Sequence, residues 1–282
     1  MHHLNLDTSR RSIRLIARSI SYAASLAAIF FFLLYCREQN LRSTFLLVAE
    51  IGLFLVVLEA FFTVHYVNAH PDKPRHLKEH TFLHHAINHL LYPFIFYIGF
   101  VVFIAFEENP LLSSMLGFLS FFMYAAYFYY LPLHIRYDHI DHPQSSHVSA
   151  INDFVMYLFK FFSFFVVNLA LFQGLAQSRF STNFIFIVNF ALMALYFGFH
   201  LNRRDNLSPL NVVMALLFSG ITALVILYAK TSVVNFSAAI ATLLFYLSSG
   251  VFYHKVDGTL NYKILIEYAS IAVIASVFLF SI

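Results

Sequence analysis

The sequence predicts an all-α, polytopic integral membrane protein of about nine transmembrane helices, with its N-terminus in the cytoplasm. Three observations carry that expectation. Of 282 residues, 60% are apolar and 11% charged, whereas soluble domains carry about 25% charged residues; too little charge remains to cover a surface facing water. Apolar runs of the ~20 residues needed to cross a bilayer core recur along the whole chain. Short polar loops separate them, and the Lys and Arg residues fall mostly on one side of the resulting bundle.

In order, the first run follows Arg10, Arg11, Arg14 and Arg18 and extends to about Cys36. It is too long for a signal-peptide core and lacks a clear small-residue cleavage site, so it reads as a retained span. Further spans are expected at about 44–67, 87–106, 111–135, 151–175, 183–201, 209–229, 233–254 and 263–282. The breaks are REQNLRS, EENP, AQSRFST, NRRDNLSP, KTS and KVDGTLNY. The loops at 107–110 and 230–232 are so short that the helices they join must be antiparallel neighbours. One transmembrane domain over 1–282 is expected, with His-rich segments at about 65–89 and 134–147.

Orientation follows from the basic residues. With the N-terminus inside, twelve of the seventeen Lys and Arg lie on that side. Arg37, Arg42, Arg179 and Lys230 lie on the other, and Lys160 falls within a span. The expected location is the cell membrane, with the C-terminus outside and the His-rich face in the cytoplasm. The lone Cys36 excludes an internal disulfide and a Cys-based zinc cluster. A net charge of +3, spread along the chain, gives no footprint for nucleic acid.

The histidines then sort to one face. The stretch HYVNAHPDKPRHLKEHTFLHHAINH, His65 to His89, holds seven of the fifteen. Four spans run toward the expected cytoplasmic side, and they end in His65, His134, His200 and His254. Each is followed by a second potential ligand: His70, His139, Asp205 and Asp257 respectively. If these ends converge, they form a nitrogen and oxygen site suited to iron, zinc or manganese; the plain alternative is that His is tolerated at any membrane interface. His76, His80 and His84 lie four apart on one helix face, and His85 and His89 make a second pair. Two imidazoles at this spacing can share a metal. The alternative is a solvated helix entry, which fits His76 best. In HIRYDHIDHPQSSH, His139 and His142 stand beside Asp138 and Asp141, the pairing of a ligand with an orienting carboxylate, or else a polar loop that stays in water.

Charge within the spans is sparse. Glu59 and Lys160 lie about eight and nine residues from the inner ends of their spans, roughly 12–14 Å deep, and are expected to pair. Such charges mark either a functional site or a static tie between helices. Asn168 and Asn189 are candidates for hydrogen bonds between helices. Pro93 and Pro132 bend their spans close to the expected site. The Tyr-rich YAAYFYYLPLH reads as an interfacial aromatic belt, with an apolar substrate groove as the alternative.

HYVNAH (His65–His70) fits an HxxxxH box and HTFLHH (His80–His85) approaches a later one. In this respect the pattern resembles integral-membrane desaturases and hydroxylases, which place His boxes on the cytoplasmic face. The two boxes here lie closer together than in that pattern, and no HxxHH occurs. The expected function is a metal-dependent membrane enzyme, an oxidoreductase of that type or a hydrolase, acting on a lipid-like apolar substrate from the bilayer. Its cofactor would be iron, one ion or two, or zinc; iron would activate oxygen with an electron donor as partner, and zinc would activate water. A metal-ion or proton transporter with a cytoplasmic His gate is the alternative, and a sensor or assembly subunit that binds metal or haem without turnover is a third reading. The outer half of the spans offers few polar groups for a permeation path.

Overall fold

The computed structural model describes residues 2–68, 82–137, 146–203 and 207–281, with side chains described over 14–63, 91–132, 151, 154–201, 207–274 and 277. The described residues form helices without a strand: α1 (His2–Glu38), α2 (Arg42–Asn68), α3 (Phe82–Phe106), α4 (Pro110–Tyr137), α5 (Ser146–Ala176), α6 (Thr182–Arg203), α7 (Pro209–Tyr228), α8 (Val234–Val256) and α9 (Tyr262–Ser281). The protein is all-α and polytopic. Among the described residues, seven stretches are long and apolar enough to cross a membrane: Arg14–Glu38, Arg42–Thr63, Pro110–Pro132, Phe154–Ala176, Thr182–Leu201, Pro209–Tyr228 and Val234–Val256. The described part of α3 adds a shorter apolar stretch, Leu91–Phe106.

The helix ends follow from local chemistry. Asn109 accepts from the backbone N–H groups of Leu111 and Leu112 at 3.0 and 3.3 Å, and Pro110 opens α4 with a ring already set for a first turn. Ser208 caps α7 by accepting from Asn211 N at 3.3 Å, again followed by a proline. Asn261 does the same for α9 through Lys263 and Ile264. At the other ends the chain reverses through left-handed residues: Asn40 (φ 55°), Ser178 (φ 58°) and Gly258 (φ 69°).

The chain divides into two compact units, Met1–Ser163 and Phe164–Ile282, a division that falls inside α5. In the first unit, α1 packs on α4 and α2, and α2 on α3. Phe30 sits in its core, 4.3 Å from Phe100 and 5.4 Å from Tyr97 between ring centres. Tyr127 and Phe159 meet at 4.3 Å. Tyr97 lies across Gly52 and donates its hydroxyl to Ala49 O at 2.9 Å. Any side chain at position 52 would run into that ring. In the second unit, α6 packs on α7, α7 on α8 and α8 on α9. Phe164 stacks on Phe245 at 4.2 Å, Phe197 on Phe252 at 4.5 Å.

The Tyr-rich end of α4 is divided by helical periodicity. Tyr124 and Tyr127 are fully buried in the first unit, while Tyr129 and Tyr130 are half-buried. Half of the expected belt is therefore core. Tyr124 donates to Pro93 O at 3.1 Å, on the proline turn of α3.

Candidate functional site

The C-terminal ends of α6 and α8 meet in the second unit. Each helix delivers a histidine there because its apolar run stops at that point: His200 before LNRRD and His254 before KVDG. His200 Nε2 lies 3.5 Å from Asp257 Oδ1, with side-chain exposures of 11% and 26%. Asp257 follows Tyr253 by one turn at the end of α8, so the two flank the same imidazole. The His200 ring stacks on Tyr253 at 3.9 Å with an interplanar angle of 18°. The aromatic face fixes the ring, and the carboxylate lies beside one of its nitrogens.

His254 is held differently. Its Nδ1 lies 2.8 Å from Thr259 Oγ1. The Thr259 hydroxyl also points at the His254 carbonyl oxygen, 3.4 Å away. If it donates its proton there, its oxygen accepts the Nδ1–H, and the Nε2 lone pair remains for a ligand. This is how proteins commonly orient a metal-binding imidazole, by holding its other nitrogen. The hairpin after α8 builds the arrangement, since Thr259 N and Leu260 N both donate to His254 O at 2.9 Å around Gly258.

Two of the four helix ends expected to converge thus lie together, His200 with Asp257 and the His254 turn beside it. The helix positions of His65, His84, His85, His89 and His134 are described but their side chains are not; His70, His76, His80, His139, His142, Asp138, Asp141 and Asp205 lie outside the described residues altogether. Among the described residues no three His, Cys, Asp or Glu side chains come together in a metal-binding group.

The in-span charges correct one expectation. Glu59 meets Arg18 rather than Lys160: Arg18 Nη2 lies 2.9 Å from Oε1 and 3.0 Å from Oε2. Thr63, one turn along α2, adds a 3.5 Å contact to Oε1. The physical reason is reach. Arg18 stands at the entry to the apolar run of α1, and its long guanidinium side chain can meet a carboxylate on the neighbouring α2. Lys160 is 3% exposed and sits 5.9 and 5.8 Å from the ring centres of Tyr157 and Phe161.

Asn168 and Asn189 also differ from expectation. Each donates to a carbonyl of its own helix, Phe164 O at 3.0 Å and Ile185 O at 3.1 Å, and each Oδ1 is buried without a hydrogen bond among the described residues. A short amide reaches the preceding turn more easily than a neighbouring helix. At the opposite end of the first unit the sequence reading missed Arg37, which donates to Ile104 O at 3.2 Å and to Glu107 O, covering the last carbonyls of α3. A basic residue at the end of one span beside a short loop was the available signal.

No curated protein and no solved structure matches the chain. A family model does, described as a protein of unknown function (DUF5656). It covers α2 to α9 and so includes Glu59, His200, His254 and Asp257, while α1 with Arg18 precedes the matched residues. The chain belongs to this DUF5656 family, over residues 40–282.

Proposed function

We propose that the protein is a metal-dependent integral membrane enzyme that acts on a lipid-like apolar substrate, with its His-rich ends at the cytoplasmic face. Nine spans and an internal N-terminus complete this reading. The observation that carries it is the meeting of His200 and Asp257 from the ends of two separate helices. Ligand bonds of about 2.0–2.2 Å at a tetrahedral angle place a nitrogen and an oxygen donor about 3.4 Å apart, close to the 3.5 Å found between Nε2 and Oδ1. His254 Nε2, with Nδ1 engaged by Thr259, is a third candidate donor on the same helix end. Imidazole and carboxylate together suit iron or zinc. His65, His70, His80, His84, His85, His89, His134, His139, His142 and Asp205 are the further ligand candidates. Iron would bring oxygen chemistry and need an electron donor; zinc would bring hydrolysis.

The test is elemental analysis of the detergent-purified full chain beside His200→Ala, Asp257→Asn, His89→Ala and His134→Ala. Stoichiometric iron or zinc that falls in the substituted chains supports the reading. A wild-type chain without bound metal overturns it. Flux of metal or protons into reconstituted vesicles, abolished by Glu59→Gln or Lys160→Met, would replace the enzyme with a transporter.

A further inference from the structure

α1 runs as a single helix from His2 to Glu38, and Arg10, Arg11, Arg14 and Arg18 stand at the entry to its apolar run. The helix therefore carries its arginines through the boundary of the span. Arg10, Arg14 and Arg18 stand four residues apart, on successive turns of one side of the helix. Arg14 is exposed and the Arg18 side chain is 38% exposed. Arg18 engages Glu59 through Nη2. Among the described residues, neither its Nε and Nη1 hydrogens nor those of Arg14 meet an acceptor.

We propose that Arg14 and Arg18 clamp the phosphodiester of an anionic phospholipid, with Glu59 as the residue that positions Arg18. An arginine at the entry to an apolar span ordinarily turns its head toward water. Here the Glu59 carboxylate, gripping one corner of the guanidinium at 2.9 and 3.0 Å, holds it in place. Nε–H and Nη1–H remain, and with the Arg14 guanidinium one turn away they can donate to separate oxygens of one phosphate. A phosphodiester at the headgroup layer is the acceptor available at the edge of an apolar span. Two guanidinium groups against one carboxylate leave a local charge of +1, which favours an anionic headgroup over a zwitterionic one. Glu59 does not repel the lipid strongly, because both of its oxygens face Arg18 and Oε1 is also in contact with Thr63. The proposal is independent of any metal.

The test uses the full chain, purified and delipidated in dodecyl maltoside, with its melting temperature followed against added dioleoylphosphatidylglycerol, dioleoylphosphatidylcholine or inorganic phosphate. Phosphatidylglycerol should stabilise it saturably, and the other two should not. Arg14→Gln, at an exposed position, should leave the lipid-free melting temperature unchanged and raise the half-saturating phosphatidylglycerol about fivefold. Arg179→Gln, an exposed arginine on another loop, should titrate as wild type. Equal stabilisation by phosphatidylcholine overturns the proposal, and so does a response to inorganic phosphate alone. An Arg14→Gln chain that titrates like wild type, or an Arg179→Gln chain that shifts as far, overturns it equally.

Discussion

Arg18–Glu59 in the first unit and His200–Asp257 in the second both bring a basic side chain of one helix to a carboxylate of another. Arg18 is charged at every physiological pH, meets both carboxylate oxygens at about 3 Å and has Thr63 beside it. His200 is a base whose charge depends on its surroundings; it stands 3.5 Å from one oxygen and leans on Tyr253. The first pair is suited to permanent attachment. The second is suited to exchange, because a neutral imidazole and a carboxylate can both turn to a metal without breaking a strong bond. The difference also separates their expected energetics, which mutation can measure.

The largest effect should come from breaking the first pair on one side only. Glu59→Leu leaves Arg18 facing apolar neighbours with no counter-charge. For fully buried pairs such a loss costs about 3–5 kcal/mol; with Arg18 38% exposed, about 2–3 kcal/mol is expected. The double substitution Arg18→Met with Glu59→Leu should recover most of it, since an apolar pair of similar volume packs where the ions were. Unfolding midpoints in detergent for the two singles and the double give the coupling directly. Strict additivity would mean that the pair contributes nothing.

The two units also differ at their close glycine contacts. A Cβ on Gly52 would run into the Tyr97 ring, and one on Gly250 into Tyr268. Tyr97 is 1% exposed and its hydroxyl is bonded to Ala49 O, so it cannot swing aside. Tyr268 is half-buried near the exposed face of α9 and can. Gly52→Ala should therefore cost about 2 kcal/mol and Gly250→Ala less than about 1 kcal/mol. Equal costs would show that the first unit's core yields as readily as the second's edge.

Breaking His200–Asp257 should matter less to stability than either. His200→Phe keeps a ring to stack on Tyr253 and removes the nitrogen, so a loss of about 0.5–1 kcal/mol is expected in metal-free protein. A metal-loaded wild type would widen the gap, because a bound ligand stabilises the folded state by mass action. An unchanged gap with and without added iron or zinc would separate the pair from the proposed chemistry.

How much of this was legible in the sequence depends on range. The helices and turns were, because their signals are local: Asn109-Pro110, Ser208-Pro209 and Gly258 announce ends that the structure uses. The positions of His200 and His254 at helix ends were legible for the same reason. The partner of Glu59 was not, since nothing in a linear chain distinguishes Arg18 from Lys160 until helix packing selects one. Nor was the division inside α5, where one continuous helix runs from Ser146 to Ala176 and carries no break to mark it.

The smallest effect tests the remaining difference between expectation and structure. Asn168 and Asn189 are fully buried in the second unit, and each uses its amide nitrogen on its own helix while Oδ1 finds no hydrogen bond among the described residues. Burying a polar atom without a partner costs about 1–3 kcal/mol, and a hydrogen bond back to the preceding turn returns only part of that. Leucine at position 189 has the same branched shape, though larger, and no polar atom to bury. Asn189→Leu should therefore be neutral or stabilising by up to about 1 kcal/mol, whereas Asn189→Asp, which adds a charge at the same depth, should destabilise. If Asn189→Leu instead unfolds more easily than wild type, the amide oxygen binds something in the folded protein, and the second unit would then hold a polar contact as specific as the one between Arg18 and Glu59.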